Sequence, residues 1–185
     1  MKRRPHVRGI GFAAALACAL SPLGAHATPG IKVLNEAAND GPIKYTVKMV
    51  SKNFGNEQET RTIRSGQTDD FTWQGSAPNG AQAVPGECPE VSSVPKSADG
   101  AAVRQVQIRF APMVGDNGAA NVQLSFRAYA PKGVNTVKVG AKSLQCPVSN
   151  KFSQIVRFNM PTSAGSKKTV TLDDGTQLTV TACRK

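Results

Sequence analysis

Beyond residue 40 the chain alternates apolar and polar residues with a period of two, broken at intervals by turn chemistry. Ile43, Tyr45, Val47 and Met49 are separated by Lys44, Thr46 and Lys48, which predicts a strand with one buried and one wet face. Thr60 to Arg64 reads as a shorter strand closed by Ser65-Gly66, and Asp70 to Gln74 as the next. Val106, Ile108 and Phe110 alternate with Gln105, Gln107 and Arg109 until Ala111-Pro112, where the proline is expected to stop the run. Gly115-Asp116-Asn117-Gly118 then turns the chain. Val122, Leu124, Phe126 and Ala128 alternate with Gln123, Ser125 and Arg127, so the two runs form a β-hairpin. Further strands are predicted over Val134 to Val139 and Phe152 to Met160. Hardly any segment shows a helical period.

The last hairpin constrains its own register. Val170 and Leu172 precede Asp173-Asp174-Gly175, and Leu178 and Val180 follow it. A two-residue loop would place Leu172 opposite Gln177 and mix polar with apolar residues on each face. A three-residue loop pairs Val170 with Leu178 on one face. The second arrangement predicts a type I turn with Gly175 left-handed in a G1 bulge.

Between residues 75 and 100 the alternation fails. Pro78, Pro85, Pro89 and Pro95, with Gly75, Gly80, Gly86 and Gly100, make this a long loop, with room for one short helical turn. About eight strands with turns between them predict an all-β fold, an antiparallel β-sandwich of immunoglobulin-like or related arrangement. A small closed β-barrel is the alternative. Residues 28–185 read as one such domain.

The N-terminus is of a different kind. Lys2, Arg3, Arg4 and Arg8 precede an uncharged run, Ile10 to Leu20, and Ala25-His26-Ala27 offers a small-x-small cleavage pattern. As a helix that run reaches only about 16 Å, too short to span a bilayer. Residues 1–27 therefore read as a cleavable signal peptide, which implies a periplasmic or secreted protein with no transmembrane span after processing. Lipoprotein processing at Cys18 is the competing reading, weakened by alanine where the acylation motif wants leucine.

Processing removes His6 and His26, the two histidines of the chain. The commonest general base and metal ligand is then absent, and no Ser-His-Asp or Cys-His arrangement can form. It also lowers the net charge from +11 to +7. The basic residues, among them Lys44, Lys48, Arg61, Arg64, Arg104, Arg109, Lys138 and Lys142, are dispersed along strands. That reads as a solvated face rather than an anion-binding patch.

Other chemistry is weak. Ser93-Val94-Pro95-Lys96 matches a Ser-x-x-Lys pattern but lies in proline-rich sequence rather than on a helix. Asp69-Asp70 and Asp173-Asp174 are neighbours that point to opposite faces of a strand or belong to a turn, not convergent pairs. No zinc or calcium spacing is present, so no metal or cofactor is expected. Trp73 reads as core, and the aromatics fall on the apolar parity, which argues against nucleic-acid stacking. Cys88, Cys146 and Cys183 permit one bridge. Cys88 and Cys146 each precede a proline in loop-like sequence, so their pairing is predicted, leaving Cys183 as a free or intermolecular thiol. Pairings of Cys183 with either of the others stay open at this point.

The stretches Gly41-Pro42-Ile43-Lys44-Tyr45-Thr46-Val47-Lys48 and Glu59 through Trp73, with Asn121-Val122-Gln123-Leu124-Ser125-Phe126 and the C-terminal hairpin, resemble an uncharacterised family of small exported Gram-negative bacterial proteins. The resemblance covers most of residues 28–185 and implies export and an all-β fold, with no site residues. It also implies that Cys183 is additional to the family's cysteines, which points to Cys88–Cys146. The functional expectation is a non-enzymatic β-sandwich that binds a protein or glycan of the cell envelope, with no catalytic residues. The long loop, bearing Glu87, Glu90 and Lys96, is the candidate binding segment. The alternatives are a carboxylate-based envelope hydrolase and a structural or adhesin-like subunit.

Overall fold

In the computed structural model the alternating segments pair into two antiparallel four-stranded sheets that share one core. The structure describes residues 41–77, 80 and 82–184. The signal segment 1–27, Cys18 and the predicted start of the processed chain at Thr28 lie outside the described residues. One sheet has the order β2-β1-β10-β9, from Gly55–Ile63 (β2), Ile43–Ser51 (β1), Gln177–Arg184 (β10) and Ser166–Thr171 (β9). The other has the order β3-β6-β7-β8, from Asp69–Gly75 (β3), Arg104–Val114 (β6), Ala119–Val139 (β7) and Lys142–Pro161 (β8). A two-stranded ribbon, Gln82–Ala83 (β4) with Ala101–Ala102 (β5), closes the base of the long loop. The sheets keep separate edges and do not close into a barrel, so the architecture is a sandwich.

The core follows the alternation. Tyr45, Val47 and Met49 of β1 are almost completely buried, as are Val106, Ile108 and Phe110 of β6 and Leu124 and Phe126 of β7. Tyr45 stacks on Phe110 across the two sheets with ring centroids 4.2 Å apart, and Phe54 meets Phe126 edge-on at 6.1 Å. Each such side chain brings about 1.5–3 kcal/mol of transfer free energy on burial. Trp73 packs half-buried against this core, edge-on to Phe71 at 5.3 Å.

Leu178 lies opposite Val170, as a three-residue loop requires. Gly175 has φ +82°, its N–H donates to the Leu172 carbonyl at 2.9 Å, and the Leu172 N–H donates to Thr176 O at 2.8 Å. The β6–β7 turn repeats the same chemistry around Asp116-Asn117-Gly118, with Gly118 at φ +72° and the Gly115 N–H on Ala119 O at 2.9 Å.

Several boundaries differ from the sequence reading; β2 starts at Gly55 rather than Thr60, continuing the pairing with β1 up to their turn. Pro112 does not end β6, because it lies past Phe110, where the β3 ladder stops, and opposite Val122 of β7. The missing N–H is tolerated where one side of the strand has no ladder, and the Pro112 carbonyl still accepts from the Gly66 N–H at 2.8 Å. The runs at 122–128 and 134–139 are one strand, joined through a bulge between Pro131 and Gly133. Its partner β8 begins at Lys142 rather than Phe152, so β7 and β8 extend beyond β6 as a two-stranded arm. Alternation alone could not show this, since an arm outside the sandwich has no core to enforce it.

Candidate functional site

The segment between β3 and β6 is folded on itself and fixed to the β7–β8 arm. A short 3₁₀ turn spans Val91–Ser93. The Ser97 N–H donates to Ala101 O at 2.9 Å and the Val103 N–H to Pro95 O at 3.0 Å, closing the loop against β5. Cys88 is bonded to Cys146 of β8, with Cα atoms 5.6 Å apart. A closure of 58 residues is worth up to about 4 kcal/mol in the chain-entropy account. Glu87 pairs with Lys142 at 3.3 Å and Glu90 with Lys151, both exposed pairs that add little beside the covalent link.

These contacts place the loop residues singled out in the sequence. Glu87 and Glu90 are engaged in docking the loop, and the bond to Lys151 holds the Glu90 carboxyl below the ordinary carboxylate range. Glu90 takes a left-handed backbone, φ +59°, a conformation uncommon outside glycine. The Ser93 N–H and hydroxyl both donate to the Glu90 carbonyl, at 2.8 and 2.9 Å, and hold the turn. Lys96 is exposed and bridges only through its backbone, to Ala102. Cys183 is a half-buried free thiol on β10, paired in register with Lys44. The loop brings none of these together as a cluster.

A groove with polar side chains beside Ala128 and Phe152 lies next to the docked loop instead, on the outer face of β3-β6-β7-β8. Gln105 and Gln107 of β6, Arg127 and Tyr129 of β7, and Lys151 and Ser153 of β8 form its floor, and Ser93 and Pro95 of the loop flank it, around about 510 Å³. It adjoins a second hollow of about 300 Å³ lined by Asp70, Thr72, Arg109 and Ser125, and the two share Gln107 and Arg127. Tyr129 is on the outward parity yet only 6% exposed. An outward residue is buried only where chain lies over the sheet, and the loop is the chain that does so here. The Tyr129 hydroxyl has no hydrogen-bond partner among the described residues.

The cations of the groove differ. Arg109 is held by Asp70 through two bonds, 2.8 and 3.2 Å, which raises its already high pKa. Lys151 is held by Glu90. Arg127, at the junction of the two hollows, is exposed and makes no ion pair or side-chain hydrogen bond among the described residues. Two carboxamides, serine hydroxyls and the Arg127 guanidinium give this surface donors and acceptors for a polar ligand. Arg127 and Gln107 were visible in the sequence only as polar positions of strands. The loop that walls them is a long-range contact with no local signal.

The other acid–base cluster is structural. Asp69 accepts from Tyr45 Oη at 2.7 Å and from Arg61 Nε at 2.8 Å, and Arg61 lies over the Phe71 ring. Burial opposes ionisation of Asp69, but the bonds from Arg61 and Tyr45 outweigh it and hold the carboxyl below its usual range. Burial and the Asp69 bond push the Tyr45 phenol well above its usual value. Arg104 reaches across to the Phe54 carbonyl and Glu57. A Cβ at Gly75 would lie 2.6 Å from Arg104 Nη2, so glycine there makes room for the guanidinium. Among the described residues no group of three or more His, Cys, Asp or Glu is placed to hold a metal ion, and no helix is long and apolar enough to cross a membrane.

Fold and groove together define a disulfide-bonded β-sandwich with a loop-walled polar surface. The chain belongs to the family of unknown function DUF6013, whose model matches residues 1–184. No curated protein and no solved structure matches it.

Proposed function

We propose that this is an exported, non-enzymatic binding protein of the cell envelope, and that the groove centred on Arg127 takes a polar ligand, a short glycan segment. The observation that carries the reading is Arg127, without an ion pair or side-chain hydrogen bond among the described residues, in a hollow whose wall is covalently fixed by Cys88–Cys146. A volume of about 510 Å³ is within the range of small-ligand sites. A preformed wall lowers the ordering cost of binding. Export is supported by the basic, apolar and small-residue succession of the first 27 residues and by a disulfide, which persists in oxidising compartments. The non-enzymatic reading is supported by the lack of histidine after residue 26 and by the engagement of Asp69, Asp70 and Glu90 with basic partners.

The test is a screen of envelope glycans against the protein with calorimetric follow-up. Arg127→Ala and Gln107→Ala should each weaken the best ligand by roughly 5–20-fold, the range for one charge-assisted or neutral bond. Unchanged affinity in both variants, or ligand turnover abolished by a single substitution, would overturn it.

A further inference from the structure

The opposite sheet carries a second surface of different character. On the outer face of β2-β1-β10-β9 the register aligns Thr60, Thr46 and Thr181 in one row across the sheet, ending at Lys167. The next rows carry Lys48 with Thr179, and Lys44 with Thr62. Hydroxyls pair along the face, Thr46 with Thr60 at 2.8 Å and Thr169 with Thr179 at 3.1 Å. No outward position of these four strands is acidic. The acids of β2, Glu57 and Glu59, fall on the other parity and engage Arg104 and Arg61. Among the described residues, Asp173 and Asp174 lie in the turn beyond Thr171 and Gln177.

Lys44, Lys48 and Lys167 are all exposed, and none makes an ion pair or side-chain hydrogen bond among the described residues. Strand geometry sets Lys44 and Lys48 about 13 Å apart, with Lys167 on the order of 12 Å from each. Those separations exceed the screening length of about 8 Å, so the three charges coexist without strong repulsion. The lysines of the other sheet and its arm that approach acids are neutralised, Lys142 by Glu87 and Lys151 by Glu90. The positive charge without a counter-ion on this face is therefore a consequence of strand parity.

We infer that this threonine–lysine face docks on a plane of anionic lipid headgroups, through lysine–phosphate attraction and threonine hydroxyl bonds. Charge complementarity carries the choice of occupant, and the other properties of the face narrow it. The outward positions bear no aromatic residue on which bases could stack. Val50, 43% exposed, is the one large apolar side chain there, so the contact stays at headgroup level without insertion. A broad sheet face presenting spaced cations meets a planar array of phosphates better than a single small anion. The proposal is independent of the groove.

The experiment is co-sedimentation of the exported protein with phosphatidylcholine vesicles, with and without phosphatidylglycerol, at low and physiological salt. Binding should require phosphatidylglycerol and fall with salt. Each lysine near such a surface is worth about five-fold in partitioning, so Lys44→Gln/Lys48→Gln/Lys167→Gln should lose on the order of a hundred-fold. The charge-matched Lys96→Gln/Lys138→Gln/Lys142→Gln, in the long loop and on the β7–β8 arm, should retain most binding, as should Arg127→Ala, which separates this face from the groove. Circular dichroism establishes that both triple variants fold. Equal loss in the two triple variants, indifference to phosphatidylglycerol, or displacement by millimolar pyrophosphate would each overturn the inference, the last by assigning the site to soluble phosphate.

Discussion

At the scale of single residues, Asp69 ties the two sheets together through two polar contacts. It belongs to β3 at one sheet's edge, while its donors Tyr45 and Arg61 come from β1 and β2 of the other. Asp69→Asn keeps the shape and removes the charge, and should cost about 1–2 kcal/mol at pH 7, the range for bonds to a charged group that is partly screened. Because the folded carboxyl ionises below its unfolded value near 4, its contribution is complete above that value. It is lost as pH falls through the folded value. Urea midpoints of the two proteins should thus differ at pH 7 and draw together as pH falls below about 4. A gap that stays constant into acid would show that ionisation of Asp69 is not what stabilises the junction. The sequence showed Asp69 only as half of an Asp-Asp pair, because its partners are 24 and 8 residues away.

At the scale of elements, local chemistry was the most legible. The Asp173-Asp174-Gly175 loop could be sized from the parity of four apolar residues, since only an odd loop keeps Val170 and Leu178 on one face. In both three-residue loops the middle side chain accepts from the backbone two residues on, Asp174 Oδ1 from the Thr176 N–H and Asn117 Oδ1 from the Ala119 N–H, each at 3.0 Å. Gly175 has open space around a would-be Cβ and φ +82°. Gly175→Ala should therefore cost about 1 kcal/mol from backbone strain alone, with no change in register. A larger loss, with altered chemical shifts across β9, would mean a steric role. The loop of residues 76–103 behaves oppositely: without Cys88–Cys146 it retains exposed ion pairs and short backbone bonds. Cys88→Ser/Cys146→Ser should lower stability by up to about 4 kcal/mol. It should also raise hydrogen exchange in the loop before the sheets, measured by mass spectrometry. Uniform change across all strands would contradict a loop-specific staple.

At the scale of the whole molecule, the sandwich sorts side chains into three environments: the shared core, a groove beside a stapled loop, and a basic hydroxylated face. The sequence by itself determined most of the sandwich strands, many of their inward residues, two tight turns and the all-β class, because period-two alternation and Asp-x-Gly loops are local properties of the backbone. It also showed that histidine is confined to the first 26 residues. Only the tertiary structure decided which strands became neighbours. Val122 to Val139 had to become one strand through a bulge, and the first and last described strands, β1 and β10, had to meet in mid-sheet. Lysines that look scattered along the chain, Lys44, Lys48 and Lys167, gather on one face through that pairing, while their acidic neighbours turn inward to arginines. The reason is physical: which face a side chain takes is fixed within its own strand, but what stands beside it depends on hydrogen-bond ladders between segments more than a hundred residues apart.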